Sequence, residues 1–421
     1  MEGLLDVSEA QQRLLEAFSR VEKTQVPISE AVGRVLSDDI HSALDLPPFA
    51  NSSMDGFAVR AADTAVASRE KPVVLHVAAD IPAGTFLDTP LQSGEAFRIM
   101  TGAPMPPGGE AVIPVEDTSF TERQAGVKAP DRVEIYRPVE PGENVRPSGQ
   151  DVRQDELVLP AGARLRAQDV GLLAMLGQAL VPVYRRPRVG FFSTGDELLP
   201  VDVPLTPGTI HDSNAYILAG LVVKYGGEPI NLGIARDREE DVVAVLEQAE
   251  AETVDLVLSS AGVSVGAFDY VRTVIEQRGG LSFWRVNMRP GKPLAFGNYH
   301  GLPFIGLPGN PVSAFVGFEV FVRPALLKMA GLADLSRPAH KVIVGEAVHS
   351  DGRESYLRAV VEQQDGTLVA RLTGHQGSGN LRSLVQANAL LILPSGVKSL
   401  PIGSECSAWM LDDFFPGVRP G

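Results

Sequence analysis

Three short loops between residues 256 and 311 carry the residue types that hold an anion. They are Ser259-Ser260-Ala261-Gly262-Val263-Ser264-Val265-Gly266, Arg289-Pro290-Gly291-Lys292-Pro293 and Gly306-Leu307-Pro308-Gly309-Asn310-Pro311. Each borders a short apolar run, which puts it at a strand end. Glycine there lets backbone N–H groups approach a charged oxygen closely, and a helix N-terminus adds a favourable dipole. One phosphate-like ligand accounts for all three. Arg285, Arg289 and Lys292 are separated by apolar residues and prolines that restrict where they point, unlike a solvated charge run. Asn310 and Pro311 suit the N-cap and first position of a helix, and the Gly-Leu-Pro-Gly before them forces a rigid exposed turn.

A second group offers carboxylates. Ser193-Thr194-Gly195-Asp196-Glu197 comes directly after an apolar strand, so its hydroxyls, glycine amide and acids face the same crevice, where a metal-bound phosphate fits; the plainer reading is a polar turn. Asp269 precedes a helix at Tyr270 and is either an N-cap alone or an N-cap that also faces the crevice. Asp212, Ser213 and Asn214 carry the same ambiguity. The seven histidines show no ligand spacing, and no nucleophile elbow or Walker loop occurs. Carboxylates are therefore the available metal ligands, and oxygen-only ligation suits Mg²⁺. Residues 51–60 form a polar loop entering a strand, and residues 146–151 a rigid turn ending in Asp151; neither shows a mechanism in isolation.

Periodicity indicates the elements that must position these groups. Ser8 with Gln11 reads as a capping box opening a helix over residues 8–21, and a second helical pattern covers residues 29–37. From residue 45 to about 138 the texture is Pro, Gly and β-type runs at 73–77, 96–100 and 111–115, a separate β-rich unit. Two extended pieces and an apolar helix at 167–177 complete the domain begun at the N-terminus if that unit is an insertion. From residue 187, strands at 188–192, 229–234 and 254–258 alternate with helices at 214–225, 239–250 and 270–278. This implies a mainly parallel sheet covered on both faces, with its ligand beyond the strand C-termini. The helix after Pro311 runs to about residue 328, kinked by Pro324, and short strands then suggest a small β-barrel or sandwich. The expected fold class is multidomain α/β plus β: a central doubly wound domain (181–330), a β-rich insertion (45–138), a discontinuous N-terminal domain (1–44 and 139–180) and a C-terminal β domain (331–421).

With 421 residues the chain is too long for one core. A net charge of −15 without a basic tract excludes broad binding to nucleic acid or anionic membranes. The single cysteine, Cys406, excludes an internal disulfide, and no apolar stretch reads as a signal peptide or membrane span, which points to the cytoplasm.

Taken together, residues 51–60, 98–104 (RIMTGAP), 146–151, 193–198 (STGDEL), 259–270, 289–297 (RPGKPLAFG) and 306–311 (GLPGNP) resemble the molybdopterin molybdenumtransferases, the bacterial MoeA family related to the gephyrin E domain. They occur in that family's order across nearly the whole chain. The resemblance implies a central domain of molybdopterin-binding type. It implies the final step of molybdenum-cofactor synthesis: adenylylated molybdopterin and molybdate are substrates, AMP leaves, and Mg²⁺ assists. It also implies an elongated homodimer with the site between subunits, and contacts with the adenylyltransferase and acceptor molybdoenzymes.

Carried over by motif, Asp55, Asp151, Glu197, Asp237 and Asp269 match acidic active-site positions, with Glu197, Asp237 and Asp269 as metal ligands. Arg285, Arg289 and Lys292 match basic positions. Thr101, Gly102, Ser193, Gly195, Asp196, Ser260, Gly262, Ser264, Gly266, Pro308, Gly309, Asn310 and Pro311 fall in substrate-binding motifs. Arg285 and Arg289 stand where the family often has lysine, and Gln150 where it often has an acid. A molybdopterin adenylyltransferase shares only the α/β unit and has no need of residues 51–60 or 146–151. A non-catalytic gephyrin-like scaffold has no need of the carboxylates.

Overall fold

The computed structural model describes residues 4–121, 126–262 and 270–411. Its contacts divide the chain into two compact units, one of Met1–Asp38, Gly162–Val170 and Ala179–Gly421, the other of Asp39–Ala161 and Gly171–Gln178.

In the first unit the opening helix α1 (Val7–Glu16) differs from the expected one at both ends. Its N-cap is Asp6, without a side-chain cap, and the Gln11 amide donates instead to the Val320 carbonyl at 2.7 Å. Phe18 and Val21 keep helical spacing because they are buried, although the helix has ended. Strand β1 (Lys23–Pro27) comes next. The helix expected at 29–37 is only a single 3-10 turn, Ile28–Glu30. Gly33 then takes φ +79°, donates to the Leu165 carbonyl, and sends Val35 and Leu36 into bridges with Arg164 and Val183. A glycine in left-handed geometry stops a helix that apolar spacing alone would continue.

The second unit is built on a sheet of β2 (Gly56–Val59), β3 (Val73–Ile81), β4 (Glu95–Ile99), β5 (Ala111–Pro114) and β6 (Arg132–Ile135), in the order β5-β2-β4-β3-β6. β2 and β5 pair so closely that a Cβ on Gly56 would collide with the Ile113 carbonyl. Two-residue ladders join Ile40–His41 to Leu157–Leu159 and Asn51–Ser52 to Val145–Arg146.

The apolar helix expected at 167–177 forms as α2 (Ala167–Met175). In the first unit β7 (Leu180–Tyr184) pairs with β1 and leads into the alternating region. It comprises β8 (Arg188–Thr194), α3 (Asn214–Lys224), β9 (Glu228–Ala235), α4 (Glu239–Ala251), β10 (Leu256–Ser260), α5 (Tyr270–Arg278), β11 (Gly279–Arg285), the short β12 (Met288–Arg289), β13 (Pro293–Tyr299) and β14 (Leu302–Leu307). The sheet order is β9-β8-β10-β14-β13-β11. Its first four strands are parallel; at one edge β13 pairs antiparallel with β14, and β11 antiparallel with β13. The β13–β14 hairpin turns through His300 (φ +48°) and Gly301 (φ +91°), the paired left-handed conformation of a type I′ turn. Every residue of β10 is buried, as continuous apolar strands covered on both faces require.

A long helical segment continues the chain as α6 (Pro311–Gly317), a π-helical turn (Phe318–Val322) and α7 (Arg323–Met329). The irregularity expected at Pro324 thus lies in the π turn just before it. The C-terminal region is a closed barrel of β15 (His340–Val344), β16 (Glu354–Gln364), β17 (Thr367–Leu372), β18 (Ala389–Leu393) and β19 (Glu405–Met410). β16 pairs with both β17 and β18, and β15 with β17 and β19, which closes the ring through β18–β19. β12 adds to β16, so the loop carrying Arg289 is hydrogen-bonded to the barrel.

The π turn buries Glu319 completely, where Tyr225 Oη donates to its carboxylate at 2.8 and 2.9 Å and the Arg337 guanidinium pairs with it. Arg337 also donates to the Met410 carbonyl at 2.6 Å, joining helix to barrel. Arg337→Met leaves this carboxylate uncompensated and is expected to cost about 3–5 kcal/mol, seen as a lowered melting temperature. Glu319→Leu combined with Arg337→Met should recover much of that loss; equal melting temperatures for wild type and Arg337→Met would show the pair to be energetically idle.

Candidate functional site

The parallel register decides where the polar loops meet. Ser193 of β8 lies opposite Ser260 of β10, and Ser260 opposite Leu307 of β14, so three neighbouring strands end level. The residues just past each strand end then emerge side by side: Gly195, Ala261-Gly262 and Pro308-Gly309. The exits use backbone that few side chains allow. Gly262 takes φ +72°, and a Cβ there would strike Val271; Gly195 takes φ +146° with the Glu197 carboxylate folded against its α-carbon. Ala261 itself sits at φ +77° and donates its N–H to the Leu307 carbonyl at 3.0 Å.

These exits open onto a cleft of about 610 Å³. Of the residues expected at a site, Glu197, Ser260, Gly262, Pro308, Gly309, Asn310 and Pro311 line it. The floor is tied by Asn214 on the first turn of α3. Its Nδ2 donates to Ser260 Oγ at 2.6 Å and to the Gly309 carbonyl at 2.7 Å. A carbonyl can only accept, so the amide orientation is fixed. Asp212 Oδ1 accepts from the backbone N–H of Asn214 and Ala215 at 3.0 and 3.1 Å, which makes that carboxylate the α3 cap. Among the described residues, Ser193 Oγ and Asn214 Oδ1 are buried without hydrogen-bond partners, a condition uncommon for buried polar atoms.

At the entry of α6 the Val312 N–H donates to the Ser378 carbonyl, and Asn310 Nδ2 donates to Ser378 Oγ at 3.0 Å. One of the helix donors expected to face an oxyanion is therefore used by the barrel loop, whose Gly379 lines the cleft. No local sequence signal points to Ser378 or Gly379, because their approach depends on barrel closure.

The other expected residues fall elsewhere. Arg285 and Lys292 are exposed and Arg289 is half-buried; from their loop only Pro293 reaches the cleft wall. Arg289 lies near Arg358, a fully buried barrel residue whose Nε donates to Ser383 Oγ and whose Nη2 donates to the Gly377 carbonyl. Burial, then the like charge of Arg289, brings the Arg358 guanidinium down to about 10, and among the described residues its Nη1 has no hydrogen-bond partner. Asp237 is half-buried; burial first, then the negative charges of Asp196 and Glu197, raises its carboxyl above the ordinary range. Among the described residues no three His, Cys, Asp or Glu side chains converge as a metal site. Ser264, Gly266 and Asp269 lie outside the described residues.

In the second unit, Asp55 Oδ1 accepts from both the N–H and the Oγ1 of Thr101 at 2.7 Å, and Gly102 donates its N–H to the Ser52 carbonyl. Asp151 pairs with Arg146 at 2.8 Å. All four expected residues of this unit are exposed.

The chain matches the MoeA N-terminal region (domains I and II) over residues 5–177, the probable molybdopterin binding domain over 190–328 and the MoeA C-terminal region (domain IV) over 341–411. It is 40% identical over 412 residues to molybdopterin molybdenumtransferase 2 of Mycobacterium tuberculosis, covering 96% of this chain and 99% of that one. It is 42% identical over 387 residues to the molybdopterin molybdenumtransferase of a Nostoc species, covering 90% and 87%. The structure of the molybdopterin biosynthesis MoeA protein from Pyrococcus horikoshii superimposes with a TM-score of 0.80 at 34% identity, over 97% of this chain and all of that one. The chain belongs to the molybdopterin molybdenumtransferase (MoeA) family.

Proposed function

We propose that this chain transfers molybdenum from molybdate into adenylylated molybdopterin and releases the adenylyl group as AMP, completing the molybdenum cofactor. The observation that carries the reading is the end-to-end match to molybdenumtransferases, regions flanking the α/β domain included. An adenylyltransferase accounts for the region 190–328 alone, and the flanking matches disfavour it.

The chemistry suits the groups present. Cleaving a phosphoanhydride between AMP and a pterin phosphate needs charge neutralisation and alignment more than a covalent nucleophile. The glycine-lined exits at Gly262 and Gly309 bring backbone close to phosphate oxygens, and Ser260 and Asn310 supply neutral hydrogen-bonding groups. Arg285, Arg289 and Lys292 supply positive charge to molybdate, a tetrahedral dianion. Arg at two of these positions keeps a fixed charge and adds paired donors, which favours binding over proton transfer. Asp55 and Asp151 are proposed acidic groups of the same reaction.

A divalent cation fits the crowding of Asp196, Glu197 and Asp237, because a positive charge there relieves the repulsion that raises the Asp237 carboxyl. Glu197 and Asp237 are the proposed ligands, with Asp269 a third from outside the described residues. Bound there, Mg²⁺ supplies Lewis-acid neutralisation of phosphate charge. Among the described residues no helix is long and apolar enough to cross a membrane. The proposed setting is the cytoplasm, in keeping with one free thiol, Cys406.

Incubating the chain with adenylylated molybdopterin, Mg²⁺ and molybdate is expected to give molybdate-dependent AMP and a product that activates an apo-molybdoenzyme. Stable binding without AMP would favour a scaffold instead. Asp55→Ala and Glu197→Gln should each lower AMP release on the order of 100-fold or more with circular dichroism unchanged; wild-type turnover in both would sink the assignment. Chelation with EDTA should stop the reaction and added Mg²⁺ restore it, whereas undiminished turnover in EDTA excludes the metal. Asn214→Ala, which unties Ser260 from Gly309, should cost about 100-fold in kcat/KM through misalignment. Sedimentation should give a mass near twice the 44.9 kDa of the chain, and a stable monomer would remove the proposed dimer.

A further inference from the structure

One cation outside the expected site residues is tied to the acidic exit of β8. Arg236 directly follows β9, and its Nη1 donates to the main-chain carbonyl of Asp196, just past the end of β8, at 3.1 Å. One residue earlier on both chains, the Gly195 N–H donates to the Ala235 carbonyl at 3.3 Å, so two successive bonds join the two strand exits. Acids stand directly beside this clasp. Glu197 folds its carboxylate against the α-carbon of Gly195, and Asp237 follows Arg236 in the chain. The Arg238 N–H reaches back to the Arg236 carbonyl at 2.7 Å, a three-residue turn with Asp237 at its apex.

The exits meet this way because the β8–β9 ladder is irregular. Between Phe191 and Ser193 β8 advances two residues, while β9 advances three, from Asn231 to Ile234. The extra residue is taken up where Gly233 adopts φ +90° and donates its N–H to Asn231 Oδ1 at 2.9 Å. Such bulges re-aim the residues that follow them. Here the bulge sets Ala235 opposite Thr194, where a regular ladder would set Ile234, and so brings Arg236 beside Asp196.

The choice of acceptor matters. A guanidinium paired with Asp196, Glu197 or Asp237 would cancel the charge that a cation needs. Among the described residues Arg236 bonds to no carboxylate. On a carbonyl it closes the two exits against each other and leaves the charge of the acids unspent.

We infer that Arg236 is a positioning residue for the cation-binding acids, acting through the Asp196 carbonyl to hold the loop that carries Glu197 against the turn that carries Asp237. The inference rests on the proposed reading of Glu197 and Asp237 as ligands of a divalent cation, and adds to it a residue that touches neither cation nor substrate.

The test uses the metal-free full chain with Mn²⁺ as probe, free Mn²⁺ being read by electron paramagnetic resonance. Arg236→Met is expected to weaken Mn²⁺ binding about 10-fold, the usual cost of removing a group that orients metal ligands. Arg236→Lys, which keeps one donor for the carbonyl, should restore most of the affinity. Arg238→Met removes the same charge from an exposed residue two positions on, and should bind Mn²⁺ as wild type or more tightly. The sign of the change is decisive. If Arg236 were merely a positive charge near the acids, its removal would strengthen Mn²⁺ binding. In turnover, Arg236→Met should need about 10-fold more Mg²⁺ for half-maximal AMP release, with kcat recovered at saturating Mg²⁺. Unchanged or tighter Mn²⁺ binding by Arg236→Met overturns the positioning role and leaves the cation reading standing. A wild-type chain that binds no Mn²⁺ removes both. Weakened Mn²⁺ binding by Arg238→Met to the same extent as by Arg236→Met also overturns it, since the effect would then not depend on the Asp196 carbonyl.

Discussion

The level ending of three parallel strands is the constraint on which the rest depends. Parallel strands buried on both faces leave no room for polar side chains along their length, so chemistry is confined to the residues just past their ends. Because Ser193, Ser260 and Leu307 share one level across β8, β10 and β14, their exit loops emerge as neighbours. A one-residue slip in any of these ladders would turn each side chain to the other face of the sheet and separate the exits. Asn214 protects that level by bonding Ser260 and Gly309 at once, so the α3 cap, the β10 end and the β14 exit are one hydrogen-bonded assembly.

The long helical segment extends this arrangement into the barrel. It begins at the cleft with Pro311, where Ser378 of the barrel accepts from Val312 and Asn310, and near its middle the π turn places Glu319 against Arg337, which reaches β19. The barrel therefore grips the helix at two points, and β12 pairs with β16 as a third. A buried ion pair of this kind adds little net stability over an apolar substitute, because desolvating both charges offsets their attraction. What it does provide is a penalty for misplacement. If the helix slides, Glu319 loses Arg337 and Tyr225 inside apolar surroundings.

Much of the α/β region was legible because its signal is local. Strand and helix periods at 188–278 survive in the structure within a few residues, and the glycine loops mark the strand ends directly. The N-terminal expectations failed where tertiary packing borrows a helical period. Phe18 and Val21 are spaced for a helix but belong to the core beyond its end, and the apolar spacing at 29–37 is broken by the left-handed Gly33. The Ser8–Gln11 capping box was displaced because Gln11 finds a better acceptor in the Val320 carbonyl, exposed by a π turn 309 residues away. The barrel's share of the cleft was illegible for the same reason, since Ser378 and Arg358 acquire meaning only when strands from distant sequence close the ring.

The carboxylates separate into two kinds by what they touch, and the separation bears on function. Asp212 is occupied as a helix cap, Asp151 by Arg146 and Asp55 by Thr101, so each is held by a defined hydrogen-bond or ion-pair partner. Asp196, Glu197 and Asp237 are instead grouped with one another. They sit close enough for the first two to raise the third, with Glu197 folded over Gly195 and no ion pair to any of the three among the described residues. Like charges held together cost free energy, and the proposed divalent cation would offset that cost. The repulsion is stored at the exit of β8, beside the cleft that Glu197 lines. A cation drawn there by the carboxylates would in turn favour a phosphate in a chain whose overall charge repels it.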